Sequence, residues 1–159
     1  YDSVRTGRAT FTEQENKGYA LFKQHCDACH REPLFSNYEF RRNGLAVDTT
    51  LKDTGRIATT GTTGDRYAFK VPSLRNLAFT YPYMHDGRFR NLREVLRHYN
   101  QVGPESGVSK ELRSGISLCP YEMVDLTAFL LTLNDRVFVF DKKHQFPRDH
   151  FFPKPRNSP

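Results

Sequence analysis

The residues whose types and spacing best suit chemistry form one pentapeptide, Cys26-Asp-Ala-Cys29-His30. Two thiols and an imidazole at this C-x-x-C-H spacing are typical of covalent haem attachment, in which each sulfur forms a thioether with a haem vinyl group. The histidine that follows directly supplies a neutral nitrogen to the iron. Positions i, i+3 and i+4 share one side of a helical turn, so one turn can present all three side chains to one haem face. The motif predicts one haem c per chain, with His30 as the proximal ligand.

Spacing alone leaves other interpretations open. A zinc site needs four ligands, and Cys119 and His25 could complete one, but their spacing matches no compact zinc module. A thioredoxin-like redox pair requires a βαβ pattern around the two cysteines, and the sequence has none. The pentapeptide could also occur by chance. A domain that never received haem, with Cys26 and Cys29 free or joined in a disulfide, is a further alternative.

The helices that must position these residues are indicated by their caps. Thr12 and Glu15 have the spacing of a capping box, which predicts a helix from about residue 12 to the region 26–30. A second helix is predicted over 91–99, where Asn91 can cap the first turn and the apolar residues at i, i+3, i+4 and i+7 share one face: Leu92, Val95, Leu96 and Tyr99.

Pro120 suits the first position of a third helix, whose apolar face contains Met123, Leu126, Leu130 and Leu133. Residues 33–76 are rich in Gly, Thr, Asn, Asp and Pro, which predicts loops with one small hairpin. One helical turn is expected near Lys110. Four of the phenylalanines in the tail could anchor an arm on a neighbouring domain: Phe138, Phe140, Phe151 and Phe152.

Composition excludes several classes of protein. The 159 residues suit one domain. No stretch approaches the ~18 apolar residues of a membrane span, and 3 Cys are too few for a disulfide scaffold. The net charge of +6 is spread without a Lys/Arg run, so we expect no nucleic-acid partner.

An apolar fraction of 37% is low for folding by burial alone, which indicates that a cofactor or a partner domain completes the core.

Three separated blocks sharpen this interpretation: the C-x-x-C-H helix with Glu32-Pro-Leu-Phe35 after it, the segment 69–89 (FKVPSLRNLAFTYPYMHDGRF), and the segment 91–99 (NLREVLRHY). In this order they resemble the C-terminal haem domain of the bacterial di-haem cytochrome c peroxidase and MauG family. The resemblance covers most of residues 11–133. It implies a mainly α fold, a c-type cytochrome domain with three main helices and long haem-wrapping loops, over residues 1–135. A Phe/Pro-rich C-terminal arm then occupies 136–159.

Members of that family carry two haem domains, and the resemblance implies that this chain is the second one. Its haem would relay electrons to or from a peroxide-reactive haem on an N-terminal domain, as part of a peroxidase or oxidase. The partners implied are that N-terminal haem domain and an electron-donor or electron-acceptor protein. Thioether attachment takes place outside the cytoplasm, so we expect a periplasmic location. A chain that begins with Tyr1 and lacks an apolar signal segment is expected to be processed or a fragment. The alternative function is a free-standing monohaem electron-carrier cytochrome.

The resemblance also implies a second axial ligand. In the family's peroxidases a Met on the helix after the His-Asp-Gly turn binds the iron, and in MauG a Tyr stands there. Aligning this chain puts Tyr99 at that position, with Met84 as the alternative. Tyr99 also completes the apolar face of its helix, so a role as a core residue stays open. Thr80 and Pro82 match a Thr-x-Pro segment whose backbone carbonyls bind calcium at the domain interface, although a turn without metal fits the same residues.

Several other polar residues are candidates for contacts with the haem. Arg75 and Arg88, with Lys70, could bind the haem propionates, because a guanidinium offers a donor fork that matches a carboxylate. His85 and Asp86 are expected to fix their turn or to hold a propionate. Cys119 is expected to be a lone buried thiol. No residue of this chain is predicted to be catalytic.

Overall fold

The computed structural model describes residues 1–104, 107–147 and 151–152. Its helices and strands are α1 (Asp2–Arg5), α2 (Glu13–His25), β1 (Phe40–Arg41), α3 (Ile57–Thr60), β2 (Phe69–Lys70), α4 (Leu92–Gln101), α5 (Pro120–Leu131) and α6 (Arg136–Phe140), with 3-10 turns at Thr63–Asp65, Leu77–Phe79, Lys110–Leu112 and Lys142–His144. The fold is mostly helical with one small sheet. Across the described ranges, no helix has the length and apolar character that a membrane span requires.

The capping residues predicted from the sequence begin the long helices. The Thr12 and Glu15 side chains each bond the other's backbone N–H, which completes the capping box of α2. Asn91 Oδ1 accepts the Glu94 N–H at 3.0 Å and caps α4. Pro120 is the first residue of α5. Because Cys119 lies at the cap before Pro120, its thiol is exposed, and the prediction of a buried thiol was wrong.

The core lies where α2 crosses α5. Gly18 permits the close approach, since a Cβ built on it would come 2.0 Å from the Asp125 carbonyl oxygen. Phe22 of α2 packs against Phe129 of α5 with ring centroids 5.2 Å apart, and against Phe35 at 5.3 Å. These three rings are fully buried. Phe35 lies five residues after His30, so the buried core extends up to the C-x-x-C-H motif.

The segment between α2 and α4 is mainly loop. β1 pairs antiparallel with β2, with Phe40 opposite Lys70 and Arg41 opposite Phe69. Residues 42–68, which include α3, separate the two strands. The pairing therefore closes a long connection and is not the small hairpin that the sequence suggested. A 3-10 turn at Lys110–Leu112 agrees with the single helical turn predicted near Lys110.

The tail begins with α6, whose Phe140 packs edge-to-face on Phe79 at 5.5 Å between centroids. Phe138 remains 52% exposed, Phe151 60% and Phe152 66%. Much of the arm, residues 148–150 and 153–159, lies outside the described residues. Docking of the arm on a neighbouring domain stays a prediction.

Candidate haem-attachment site

The C-x-x-C-H motif lies in the turn that follows α2. The helix ends at His25, and Cys26 is its C-cap. The backbone N–H groups of Cys29 and His30 both donate to the Cys26 carbonyl, at 3.1 and 2.9 Å. This turn replaces the continuous helix predicted through the motif, yet it keeps the i, i+3 and i+4 residues together.

The His30 ring is oriented by two backbone carbonyls. Its Nδ1 lies 3.1 Å from the Phe35 oxygen and 3.1 Å from the Pro72 oxygen. Since carbonyls only accept, the hydrogen-bond network assigns the ring proton to Nδ1 and leaves the Nε2 lone pair free. Burial lowers the pKa of His30, which keeps the ring neutral at pH 7. A neutral imidazole that donates its other N–H to a carbonyl is how metal-binding histidines are held.

The two thiols of the motif are protonated. Burial raises the pKa of Cys26 to about 12. The pKa of Cys29 is also raised, first by burial and then by the Glu111 carboxylate, against the opposing effect of Arg41. A thioredoxin-like pair needs a lowered pKa, so that alternative is disfavoured. Zinc is disfavoured as well, because the described ranges contain no group of three or more His, Cys, Asp or Glu that could hold a metal ion.

Tyr99 of α4 lies near the two cysteines. Its hydroxyl is buried although part of its side chain is exposed, and burial raises the pKa of Tyr99 to about 12. After burial, the Asn43 side chain opposes this rise in the pKa of Tyr99, and the charges of Cys26 and Cys29 add to it. The role of Tyr99 as iron ligand stays a prediction.

Met84, the alternative ligand, lies in the turn between Tyr83 and Phe89, whose backbones form an isolated bridge. Its φ of 71° places it in the left-handed region, which is uncommon for a residue with a side chain. Its sulfur accepts the Asn43 side-chain N–H at 3.5 Å. Next to it, His85 stacks on Phe69 with centroids 3.6 Å apart. Asn43 thus ties the sulfur of Met84 to the loop that follows β1.

The predicted propionate-binding residues are engaged within the chain. Arg75 donates to both Asp2 oxygens, at 2.5 and 3.0 Å, and to the Pro33 carbonyl. Arg88 donates to Asp86 Oδ2 at 2.7 Å, and Asp86 Oδ1 accepts the Arg88 N–H, which fixes the turn. Lys70 lies over the Tyr38 ring, 5.3 Å from its centroid. Their contacts with a propionate stay predictions.

The residues of the predicted calcium segment lie at the surface. Thr80 and Pro82 are exposed, and the Thr80 hydroxyl donates to the Leu77 carbonyl at 3.3 Å. Two carbonyls cannot hold calcium alone, because the ion takes six to eight oxygen ligands. The calcium site stays a prediction that needs ligands from another domain.

Sequence analysis missed the polar residues that border the motif. Arg41 pairs with Glu39 and, at 3.2 Å, with Glu111, and both charged groups influence the pKa of Cys29. Arg41 Nε and Glu111 Oε2 are buried without a hydrogen-bond partner among the described residues. Arg41 lies in β1, Glu111 in the 3-10 turn Lys110–Leu112 and Asn43 in the loop after β1, and no sequence motif marks any of them. Unpartnered buried polar atoms, two free thiols and an imidazole nitrogen without a hydrogen bond fit a site built around an additional group such as haem.

Comparison with known proteins agrees with this geometry. No protein-family model matches the chain. It is 34% identical to the methylamine utilization protein MauG of Paracoccus denitrificans, over 86% of this chain and 46% of that protein. It is 32% identical to the cytochrome c551 peroxidase of Nitrosomonas europaea, over 76% of this chain and 34% of the relative.

The fold agrees as well. A crystal structure of a MauG-like protein associated with microbial copper homeostasis superposes with a TM-score of 0.75 and 30% identity, over 92% of this chain and 51% of that one. The chain therefore spans about half, or less, of the length of the proteins it matches. Sequence, fold and the geometry of the C-x-x-C-H turn agree that the chain belongs to the family of MauG and the di-haem cytochrome c peroxidases.

Proposed function

We propose that this chain is the electron-relay haem domain of a MauG-like di-haem peroxidase or oxidase, exported to the periplasm. Cys26 and Cys29 would hold one haem c through thioethers, and His30 Nε2 would bind its iron. The haem, when bound, supplies a centre that takes up and releases one electron at a time. Peroxide reacts elsewhere, on the haem of a partner domain that precedes this one in the full protein.

The observation that carries the proposal is the orientation of His30. Two carbonyls fix the proton on Nδ1, at 3.1 Å each, and burial keeps the ring neutral. The lone pair on Nε2 is then available to bind a metal. The two neighbouring thiols, partly buried and with raised pKa values, are in the protonated state from which an S–H adds across a vinyl group.

Tyr99 is the distal ligand in this proposal, and Met84 is the alternative. The supporting observation is that Tyr99 lies on α4 with a buried hydroxyl, whose raised pKa includes an influence of Cys26 and Cys29. A phenolate stabilises ferric iron, whereas a thioether favours ferrous iron. If His30 and Tyr99 both bound the iron, this chain would offer peroxide no open ligand position, which would suit a relay.

The remaining roles need partners outside the chain. An N-terminal haem domain would complete the calcium site at Thr80 and Pro82, and an electron-donor or electron-acceptor protein would exchange electrons with the pair of haems. A free-standing carrier cytochrome is the second candidate function, and a Met bound to the iron would favour it.

Peroxide turnover by the isolated chain tests the relay. The chain is matured with haem and then assayed with hydrogen peroxide and a one-electron dye. We expect reversible exchange of one electron per haem and little consumption of peroxide. Tyr99→Phe is the control, since an opened axial position should increase peroxide consumption. Rapid turnover by the unmutated chain would contradict the relay, and a methionine-to-iron charge-transfer band in its ferric spectrum would favour the carrier.

A further inference from the structure

The solvent side of α4 carries a set of arginines. Arg93 and Arg97 lie four residues apart in the helix, and Arg90 directly precedes its cap, Asn91. All three arginines are exposed. Residues four apart share one face of a helix, so the guanidiniums of Arg93 and Arg97 project from the same side. We call these three residues the arginine face of α4.

The charges of the arginine face are not neutralised within the part of the chain that the structure describes, where no carboxylate forms an ion pair with any of the three. Glu94 is the one acidic residue of α4, and the start of the helix uses both of its oxygens. Its Oε2 accepts the Arg90 backbone N–H at 2.8 Å, and its Oε1 accepts the Asn91 side-chain N–H at 2.9 Å. The Arg90 N–H is the largest influence that lowers the pKa of Glu94, and Arg97 is the smallest.

α2 shows the opposite arrangement. Its two lysines each lie four residues from an acid, and Lys17 pairs with Glu13 and Lys23 with Asp27, at 2.7 Å in both cases. In α4 the residue four positions from Arg93 is a second arginine. Like charges at this spacing destabilise an isolated helix, and a positive charge in its first turn opposes the macrodipole. Folding of this chain therefore does not account for the arginine face, whereas a negatively charged partner would.

We propose that the arginine face of α4 is the docking surface for an acidic protein that carries one electron at a time. The inference rests on the proposed function, in which Tyr99 on the same helix binds the relay iron. Tyr99 comes two positions after Arg97, and at 3.6 residues per turn this places the two side chains on opposite sides of α4. A helix with its side chains is about 10–12 Å across, so a partner on the arginine face would lie one helix diameter from the iron ligand.

The chemistry of the surface favours an acidic protein over a lipid membrane. The exposed residues of segment 90–100 are all polar: Arg90, Asn91, Arg93, Arg97 and Asn100. A helix that lies on a membrane inserts large apolar side chains, and this face has none. The planar fork of a guanidinium matches the carboxylates of Asp and Glu. A polar, charged surface without apolar anchors binds weakly and associates fast, as transient electron-transfer complexes do.

Stopped-flow electron transfer from the haem-loaded chain tests the docking surface. The probe is a mitochondrial cytochrome c whose lysines have been succinylated, which makes its surface acidic, and the unmodified basic protein is the comparison. The chain is reduced and mixed with the ferric probe, so one electron passes from its iron to that of the probe and no bond changes. We expect faster transfer to the acidic form. The rate should fall between roughly 0.01 M and 0.15 M salt, where the Debye length shrinks from about 30 to about 8 Å.

Arg93→Gln/Arg97→Gln is the variant that removes the docking charge. We expect its rate with the acidic probe to fall about 10-fold at low salt. Arg93→Lys/Arg97→Lys keeps the charge and should retain most of the rate. The matched control is Arg5→Gln/Arg8→Gln, which removes two exposed arginines in and after α1 and lowers the net charge equally. Its rate should change less than about two-fold. Covalent haem content confirms folding, and if the α4 double variant fails to mature, Arg97→Gln alone replaces it.

Equal rates in the two Arg-to-Gln double variants would overturn the inference, as would an equal loss of rate with the unmodified basic cytochrome. Vesicles of phosphatidylserine are the second probe. Tighter binding to them than to the acidic cytochrome, lost in Arg93→Gln/Arg97→Gln, would assign the face to a membrane and also overturn it.

Peroxide turnover separates this failure from failure of the proposed function. Slow peroxide consumption with equal rates in the two double variants would leave the relay intact and remove only the docking surface. Rapid peroxide consumption by the unmutated chain would contradict the relay, whereas a rate lost only in the α4 variant would still support docking at the arginine face.

Discussion

The two sides of the candidate haem site are built differently. The proximal side is one short turn, in which Cys29 and His30 donate to the Cys26 carbonyl and the next buried residue, Phe35, orients the His30 ring. The distal side is assembled from three segments that are distant in sequence, with Tyr99 on α4, Asn43 in the loop after β1 and Met84 in a turn. In the proposed site a local turn would fix the proximal ligand, whereas tertiary packing would decide between the two candidates for the other ligand.

The difference extends to what supports each side. The proximal turn follows directly from α2, which is held against α5 by fully buried rings. The distal loop depends on individual hydrogen bonds such as that between His98 and the Asn43 carbonyl. We therefore expect changes in the core to remove the whole site, and changes on the distal side to alter the iron while the fold survives.

The largest effect is expected from Gly18→Ala, which tests the support of the proximal side. The new methyl would lie 2.0 Å from the Asp125 oxygen and 2.8 Å from Phe129 Cβ, so α2 and α5 must separate. Overpacking of this kind lowers the free energy of unfolding by about 1–3 kcal/mol or more, although Ala favours an isolated helix by roughly 0.5–1 kcal/mol. Urea denaturation and haem content measure the outcome.

Gly64→Ala is the matched control for that prediction. It adds the same methyl where nothing lies within 4 Å. Its free energy of unfolding should change by less than about 0.5 kcal/mol. Equal stability of the two variants would show that the α2–α5 crossing does not support the motif.

The next largest effect is expected from His30→Gly, which removes the proximal nitrogen and leaves both cysteines. Thioethers can still form, but the ferric spectrum should no longer be that of the six-coordinate iron, and added imidazole should restore it. His25→Gly removes an imidazole from the last turn of α2 and should leave the iron unchanged. A wild-type spectrum in His30→Gly would mean that another residue is the proximal ligand.

The smallest change in structure is expected on the distal side. Tyr99→Phe removes one hydroxyl and keeps the ring, so stability should fall by only about 1 kcal/mol while the iron loses a ligand. Tyr99→Met should restore six-coordination with a softer ligand and raise the reduction potential. A core role for Tyr99 predicts the same small loss of stability and no change at the iron. Visible spectra and redox titration of the two variants separate these outcomes.

Local signals explain how much of the molecule was predictable. The caps at Thr12 and Asn91 and the proline at the first helical position, Pro120, fix helix starts through neighbouring residues, and all three helices start there. The C-x-x-C-H spacing is likewise a local signal, because the two thiols and the imidazole lie within one turn. Even so, α2 ends at His25. The motif forms a turn in which the Cys26 carbonyl accepts two hydrogen bonds, and the helix does not continue through it.

Contacts between distant segments were not predictable. Three contacts join residues that no local pattern relates: the pairing of Phe40 with Lys70, the ion pair of Arg75 with Asp2, and the hydrogen bond of Asn43 with Met84. Arg75 illustrates the difficulty, since the sequence suggested a haem propionate as the partner of its donor fork. In the structure the carboxylate that it binds is Asp2, at the start of the chain.

The central claim is that Cys26 and Cys29 carry one covalent haem. Intact mass after expression with a cytochrome c maturation system tests this most directly. The unmutated chain should gain the mass of one haem, and the double variant Cys26→Ala/Cys29→Ala should gain none, while Cys119→Ala, at an exposed thiol, should behave as the unmutated chain. An unmutated chain that never gains this mass, under conditions in which a control cytochrome does, would contradict the account.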